Sequence, residues 1–215
     1  MFRSVLDIEE KSRILKMKRR IAEERFIIGR GLLRTILSKR LGCSPESVPV
    51  KVEDNGKPVL SCGSFQFNIA HSGDYVVFAA GECECLGIDV EQVIEKKSLL
   101  DIARTSFPEQ VCRRLESMRG EEQLNQFYKD WTLFEAFIKA KGYGVFTRLT
   151  DKEQILLNQL FLNNNIQQDS LQHYHQILPE NYHLGLVVDG LSESISDSLE
   201  IIEWLPEKIN NMVLA

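Results

Sequence analysis

The hydrophobic pattern of this chain changes period along its length, and each change marks an element. From Glu24 onwards apolar residues recur at helical spacing: Ile28, Leu32 and Ile36 lie four apart beside Leu33, Leu37 and Leu41, and Gly42 is placed to end the helix. Gly29 and Gly31 each cost such a helix about 1 kcal/mol, which predicts close packing against another element. Residues 11–20 before it are basic with few apolar positions, as in a short helix or a basic loop. The period then falls to two. Residues 48–53 alternate, 54–58 read as a turn, 65–69 alternate again, and 75–80 form an apolar strand closed by Gly81 and Glu82. Leu86, Ile88 and Val90 then alternate with Gly87, Asp89 and Glu91. This order predicts a helix followed by an antiparallel meander.

The second half repeats the order loosely. Ser106 and Glu109 are spaced as a capping box with Pro108 in the first turn. A helix from about Glu122 to Lys141 stops at Gly142. Strand-like runs follow at 155–162, 184–188 and 201–205, with a polar loop at 163–168 and a turn at Asp189-Gly190. Two halves of helix-then-strand order make the chain α+β.

Composition adds bounds. A chain of 215 residues, 43% hydrophobic and 27% charged, reads as an ordinary globular protein of one large or two small domains. No apolar run approaches the roughly 18 residues of a membrane span and no signal-peptide pattern opens the chain, so a cytoplasmic protein with no membrane partner is expected. The five cysteines are an odd number without framework spacing, which fits reduced thiols, and Cys83-Glu84-Cys85 lacks the two-residue gap of a zinc or redox pair. Charge is uneven: residues 1–40 hold twelve Lys or Arg against five Asp or Glu, leaving fourteen against twenty-six elsewhere. An acidic protein with a basic N-terminal segment suits a compact polyanion better than a long nucleic acid, although a solvated helix face has the same composition.

The chemistry concentrates on three acids. Asp89 and Glu91 share one face of a strand with their Cβ atoms roughly 7 Å apart, within reach of one hard divalent cation such as Mg²⁺. The same pair on an exposed edge strand would only keep the protein soluble. On the later helix Phe127, Trp131, Phe134 and Ile138 form one stripe facing a core, and Glu135 and Lys139 lie one turn apart on its flank. A helix packed beside the acidic strand would make Glu135 the third carboxylate, with Lys139 to offset a polyphosphate's charge.

Several groups together resemble the Sfp-type phosphopantetheinyl transferases. The family's G-[IV]-D-[IV]-E strand is matched by Gly87 to Glu91, and its W-x-x-K-E-A-x-x-K helix by Trp131, Glu135, Ala136 and Lys139. Its G-K-P is matched by Gly56-Lys57-Pro58, and its F-N-[IL]-S-H-S by Phe67-Asn68-Ile69-Ala70-His71-Ser72. Weaker similarity extends through residues 10–13 and 25–37. The resemblance implies two similar α+β halves related by a pseudo-two-fold, here 1–100 and 101–215, with the active site between them. It implies Mg²⁺-dependent transfer of the phosphopantetheine arm of coenzyme A to a serine of an apo acyl or peptidyl carrier protein, releasing adenosine 3′,5′-bisphosphate. Asp89, Glu91 and Glu135 would be the Mg²⁺ ligands, Glu135 also the general base, and Lys139 the residue that neutralises charge developing on the phosphates. Lys57, His71, Ser72, Arg13 and Arg25 would bind the nucleotide end of coenzyme A.

Two departures stand out: Phe134 replaces the family's usual lysine, removing a positive charge beside the phosphates, and Ala70 replaces a serine. Both motivate an alternative reading as a non-catalytic relative that binds coenzyme A or a carrier protein. Acids on a strand with a Glu and a Lys also suit a Mg²⁺-dependent nuclease, against which stand the helical spacing of Glu135 and Lys139 and the overall acidity. With both halves of the site in one chain, a monomer is expected.

Overall fold

The computed structural model describes residues 2–53, 56–60, 65–96, 98–143, 149–162, 171–191 and 193–195. The chain divides into two compact units, Met1–Val48 with Glu193–Ala215, and Pro49–Ser192.

The first unit is built on α1 (Ile8–Leu15) and α2 (Arg20–Leu41). The basic run at 11–20 is thus split, with α1 starting earlier, at a capping box between Asp7 and Glu10. Gly42, at φ 65°, ends α2 as its sequence position predicts. Gly31 does allow a close approach: a Cβ there would stand 2.3 Å from the Cβ of Phe2. Two arginines of the basic segment read as suited to a polyanion, Arg30 and Arg34, are internal. Arg34 is 1% exposed, donates from Nε to Glu10 Oε2 at 2.6 Å, pairs through Nη2 with Asp7, and reaches the carbonyls of Pro45, Glu46 and Val48 through Nη1. Arg30 shares Glu10 at 3.7 Å.

The second unit opens with two antiparallel hairpins, β1 (Val50–Val52) with β2 (Pro58–Leu60), and β3 (Phe65–Ser72) with β4 (Tyr75–Glu82). Next come β5 (Cys85–Gln92), α3 (Leu99–Ser106), α4 (Glu109–Ser117), α5 (Gly120–Ala140), α6 (Asp151–Leu162), β6 (Gln172–Leu178) and β7 (Tyr182–Asp189). The expected meander stops at β4, because β5 pairs with β7 and forms the edge of a separate antiparallel sheet ordered β5-β7-β6.

Two further expectations are corrected and one strand was not foreseen. Residues 155–162, read as a strand, lie in α6: Leu157, Leu160 and Phe161 are buried at three- and four-residue spacing behind the polar start Asp151 to Gln154. A short apolar run carries both readings, and here the helical one wins. The capping box at Ser106 and Glu109 does not form; Ser106 closes α3, and α4 begins after Pro108 with no side-chain cap. Strand β6 was missed because Gln172 to Gln176 reads as polar. The runs at 163–168 and 201–205, and residues 54–55 of the predicted turn, lie outside the described residues.

Helix α5 is the centre of this unit. It lies against the sheet because two strand residues have no side chain there: a Cβ on Gly87 would sit 2.0 Å from the Ala136 carbonyl oxygen, and one on Gly185 2.6 Å from that of Thr132. On its other side Phe127, Trp131 and Phe134 meet Phe107 at ring distances of 5.8–6.2 Å, within the main core with Phe161 and Leu133. That stripe buries as its spacing predicts. Among the described residues no helix is long and apolar enough to cross a membrane.

Candidate active site

Strand alternation sends Gly87, Asp89 and Glu91 to the same face, and Gly87 fixes that face as the one under α5. Asp89 therefore lies inside the protein, 4% exposed, and the reading of the acidic pair as surface solubilisation is excluded. Its Oδ1 accepts Lys139 Nζ at 2.5 Å, while its Oδ2 is buried with no hydrogen-bond partner among the described residues. Burial is the main force pushing the Asp89 pKa up, to about 7, and the charges of Glu135 and Glu91 add to it while Lys139 opposes it. Burial likewise raises Glu135, with Glu91 adding and Lys139 opposing. Asp89, Glu91, Glu135 and Lys139 thus form one electrostatic group, two residues from β5 and two, one turn apart, from α5.

Ser72, at the end of β3, joins this group by donating its hydroxyl to Glu91 Oε2 at 3.0 Å. His71 is exposed on the opposite face of the same strand. Lys57 Nζ donates to the carbonyl of Lys139 at 2.8 Å, so it touches the last turn of the helix that carries Glu135 and Lys139. Arg13 and Arg25 belong to the other unit. The Arg13 guanidinium stands 5.0 Å over the Phe26 ring, and Arg25 lies half-buried on α2. Phe134 is not beside the acidic group: it is 4% exposed and packs 5.8 Å from both Phe107 and Trp131. The expected missing charge is therefore not missing from this site, since the position points into the aromatic core. Ala70 is buried on β3.

Among the described residues no three His, Cys, Asp or Glu side chains converge as a finished cation site. The donor set nonetheless fits a hard cation in kind. Three carboxylates share one environment, one of them keeps a buried oxygen unmet, and an ammonium occupies the other oxygen as a partial counter-charge.

Sequence reasoning did not single out Asn68. It is 5% exposed, and its Oδ1 accepts the backbone N–H of Ile88 at 2.9 Å, one residue before Asp89. A lone Asn between Phe67 and Ile69 in an apolar strand was the available signal.

Residues 1–83 match the sequence model for the N-terminal part of 4′-phosphopantetheinyl transferases, and residues 85–187 match that of the 4′-phosphopantetheinyl transferase superfamily. The chain belongs to this superfamily. It is 33% identical over 147 residues to a putative 4′-phosphopantetheinyl transferase of Synechocystis sp., covering 67% of this chain and 60% of that protein. It is 34% identical over 148 residues to the Bacillus pumilus 4′-phosphopantetheinyl transferase psf-1, covering 64% and 62%. A mouse L-aminoadipate-semialdehyde dehydrogenase-phosphopantetheinyl transferase is 32% identical over 149 residues, covering 64% and 48%. The chain thus spans about half to three-fifths of the length of these curated relatives.

Proposed function

We propose that this chain is a Mg²⁺-dependent transferase that moves the 4′-phosphopantetheine arm of coenzyme A onto a serine of an apo acyl or peptidyl carrier protein, releasing adenosine 3′,5′-bisphosphate. The observation that carries the reading is Asp89, buried under α5 with one oxygen on Lys139 and the other unmet, beside Glu91 and Glu135. Membership of the superfamily and the names of the relatives support the reaction class.

Asp89, Glu91 and Glu135 would hold the cation, which supplies charge neutralisation for the coenzyme A pyrophosphate. Glu135 takes the proton of the carrier serine; burial raises its pKa towards the range in which a carboxylate works as a base. The serine oxygen then bonds to the phosphorus that carries the pantetheine, the bond from that phosphorus to the bridging pyrophosphate oxygen breaks, and adenosine 3′,5′-bisphosphate departs with the electron pair. Lys139 holds a positive charge beside the oxygens on which negative charge grows. Lys57 and His71 are the candidates for the nucleotide end. The halves 1–100 and 101–215, related by a pseudo-two-fold, contribute Asp89 with Glu91 and Glu135 with Lys139 respectively. The protein acts as a cytoplasmic monomer, away from nucleic acid and membrane.

The test is the intact mass of an apo acyl carrier protein after incubation with this chain, coenzyme A and Mg²⁺. A gain of one phosphopantetheine arm, lost in Asp89→Ala and Glu135→Ala, is expected. No gain with several carriers while coenzyme A still binds would leave a binding relative in its place.

A further inference from the structure

Strands β3 and β5 lie side by side without a backbone ladder: among the described residues β3 is laddered to β4, and β5 to β7. Two side chains of β3 bridge the gap. Asn68 Oδ1 accepts the N–H of Ile88 at 2.9 Å, and Ser72 Oγ accepts the N–H of Gln92 at 3.2 Å. Each link spans 20 residues, so the strands run parallel at a constant offset and the two side chains act as rungs four residues apart. The segment held between them is Asp89-Val90-Glu91. The Ser72 rung does more, because the same hydroxyl donates its one proton to Glu91 Oε2 at 3.0 Å.

We propose that Asn68 and Ser72 are positioning residues that aim Asp89 and Glu91 at a divalent cation, Asn68 through the backbone before Asp89 and Ser72 through the Glu91 carboxylate itself. This rests on the reading of those carboxylates as cation ligands, and it changes the place of Ser72 within that reading. A hydroxyl whose proton is held by Glu91 and whose lone pair is held by Gln92 serves the carboxylate rather than a phosphate of the nucleotide. Ligating carboxylates depend on such hydrogen bonds for their orientation, and losing one typically costs ten- to a hundredfold in cation affinity. Ser72 is half-buried at a strand end, so its truncation leaves the fold intact, whereas Asn68 is buried and its truncation puts the strand at risk.

The experiment is Mn²⁺ binding to the full chain without coenzyme A, read from the loss of the free-ion electron paramagnetic resonance signal. The arms are wild type, Ser72→Ala, Ser72→Thr and Asn68→Ala, with coenzyme A binding measured separately in metal-free buffer. Ser72→Ala is expected to weaken Mn²⁺ binding about tenfold, Ser72→Thr to restore it to within about threefold, and metal-free coenzyme A binding to stay unchanged in both. Asn68→Ala, if it folds, is expected to weaken Mn²⁺ at least as much. Unchanged Mn²⁺ binding in Ser72→Ala, with wild type binding normally, would overturn the positioning role alone. Weakened metal-free coenzyme A binding in that variant would return Ser72 to the nucleotide site. A wild-type chain that binds no Mn²⁺ and transfers no arm would sink the functional reading and this inference with it.

Discussion

Two buried charged clusters in this chain are built on opposite terms. Around Arg34 each nitrogen of the guanidinium has a partner, two carboxylates and three backbone carbonyls between them, and the side chain is 1% exposed. Among the described residues this cluster leaves one buried polar atom over, Arg30 Nη1. Around Asp89 three carboxylates face one ammonium, and a carboxylate oxygen is buried with nothing among the described residues to meet it. The first cluster is complete at its centre, Arg34, and braces two helices against the turn at Pro45–Ser47. The second is incomplete, and its deficit is positive charge. A buried ion pair is weak evidence of function on its own; what separates these two is what each still lacks.

Removing the centre of the complete cluster should have the largest effect. Arg34→Met leaves Glu10 and Asp7 without their buried partner, and a loss of about 3–5 kcal/mol is expected from urea unfolding followed by circular dichroism. A loss under 1 kcal/mol would mean that the cluster is no brace. Phe134→Lys creates what neither cluster contains, a cation placed among aromatic rings with no carboxylate beside it. It should cost about 3 kcal/mol in the same assay, through lost packing and desolvation, and should add nothing to turnover. Faster transfer would show that this side chain reaches the acidic group after all.

The incomplete cluster should respond in the other direction. Burial raises the Asp89 pKa from 3.8 to about 7. A folded-state value above the unfolded one means that the stability from this group is fully present below about pH 4 and is lost as pH rises through about 7. The full difference is worth about 4 kcal/mol, and losing the Lys139 pairing offsets part of it. Asp89→Asn should therefore be about 2 kcal/mol more stable than wild type at pH 8, close to wild type at pH 4.5, and unable to bind Mn²⁺. An equal shift of the urea midpoint at both pH values would remove the titration from the explanation.

Much of this comparison was legible in the sequence, and the misses share a cause. Helices α2 and α5 and strand β5 were readable because their apolar positions keep one period over several turns or pairs. The acidic trio was readable because residues four apart on a helix and two apart on a strand share a face before any tertiary contact exists. What failed depends on partners remote in sequence. The basic segment that holds Arg34 reads as suited to a polyanion until Asp7 and Glu10 are seen on that guanidinium, 27 and 24 residues away. Phe134 reads as beside the phosphates until Phe107 fixes its direction. Strand β6 is polar and lies at the edge of its sheet, and β5 takes a partner from the far end of the unit.

Lys57 gives the smallest effect and tests whether the incomplete cluster has a structural support of its own. Its ammonium donates to the Lys139 carbonyl in the last turn of α5, where helix carbonyls lack intrahelical donors and the helix dipole favours a cation. Lys57→Met should cost about 1 kcal/mol. It should also speed hydrogen exchange at the amides that close this end, Gly142 to the Lys139 carbonyl and Tyr143 to that of Ile138. Because Lys139 also carries the ammonium on Asp89, a looser last turn should weaken Mn²⁺ binding slightly, by about twofold. If exchange at these amides is unchanged while coenzyme A binds more weakly, Lys57 contacts the nucleotide and the helix end is held by its own backbone bonds.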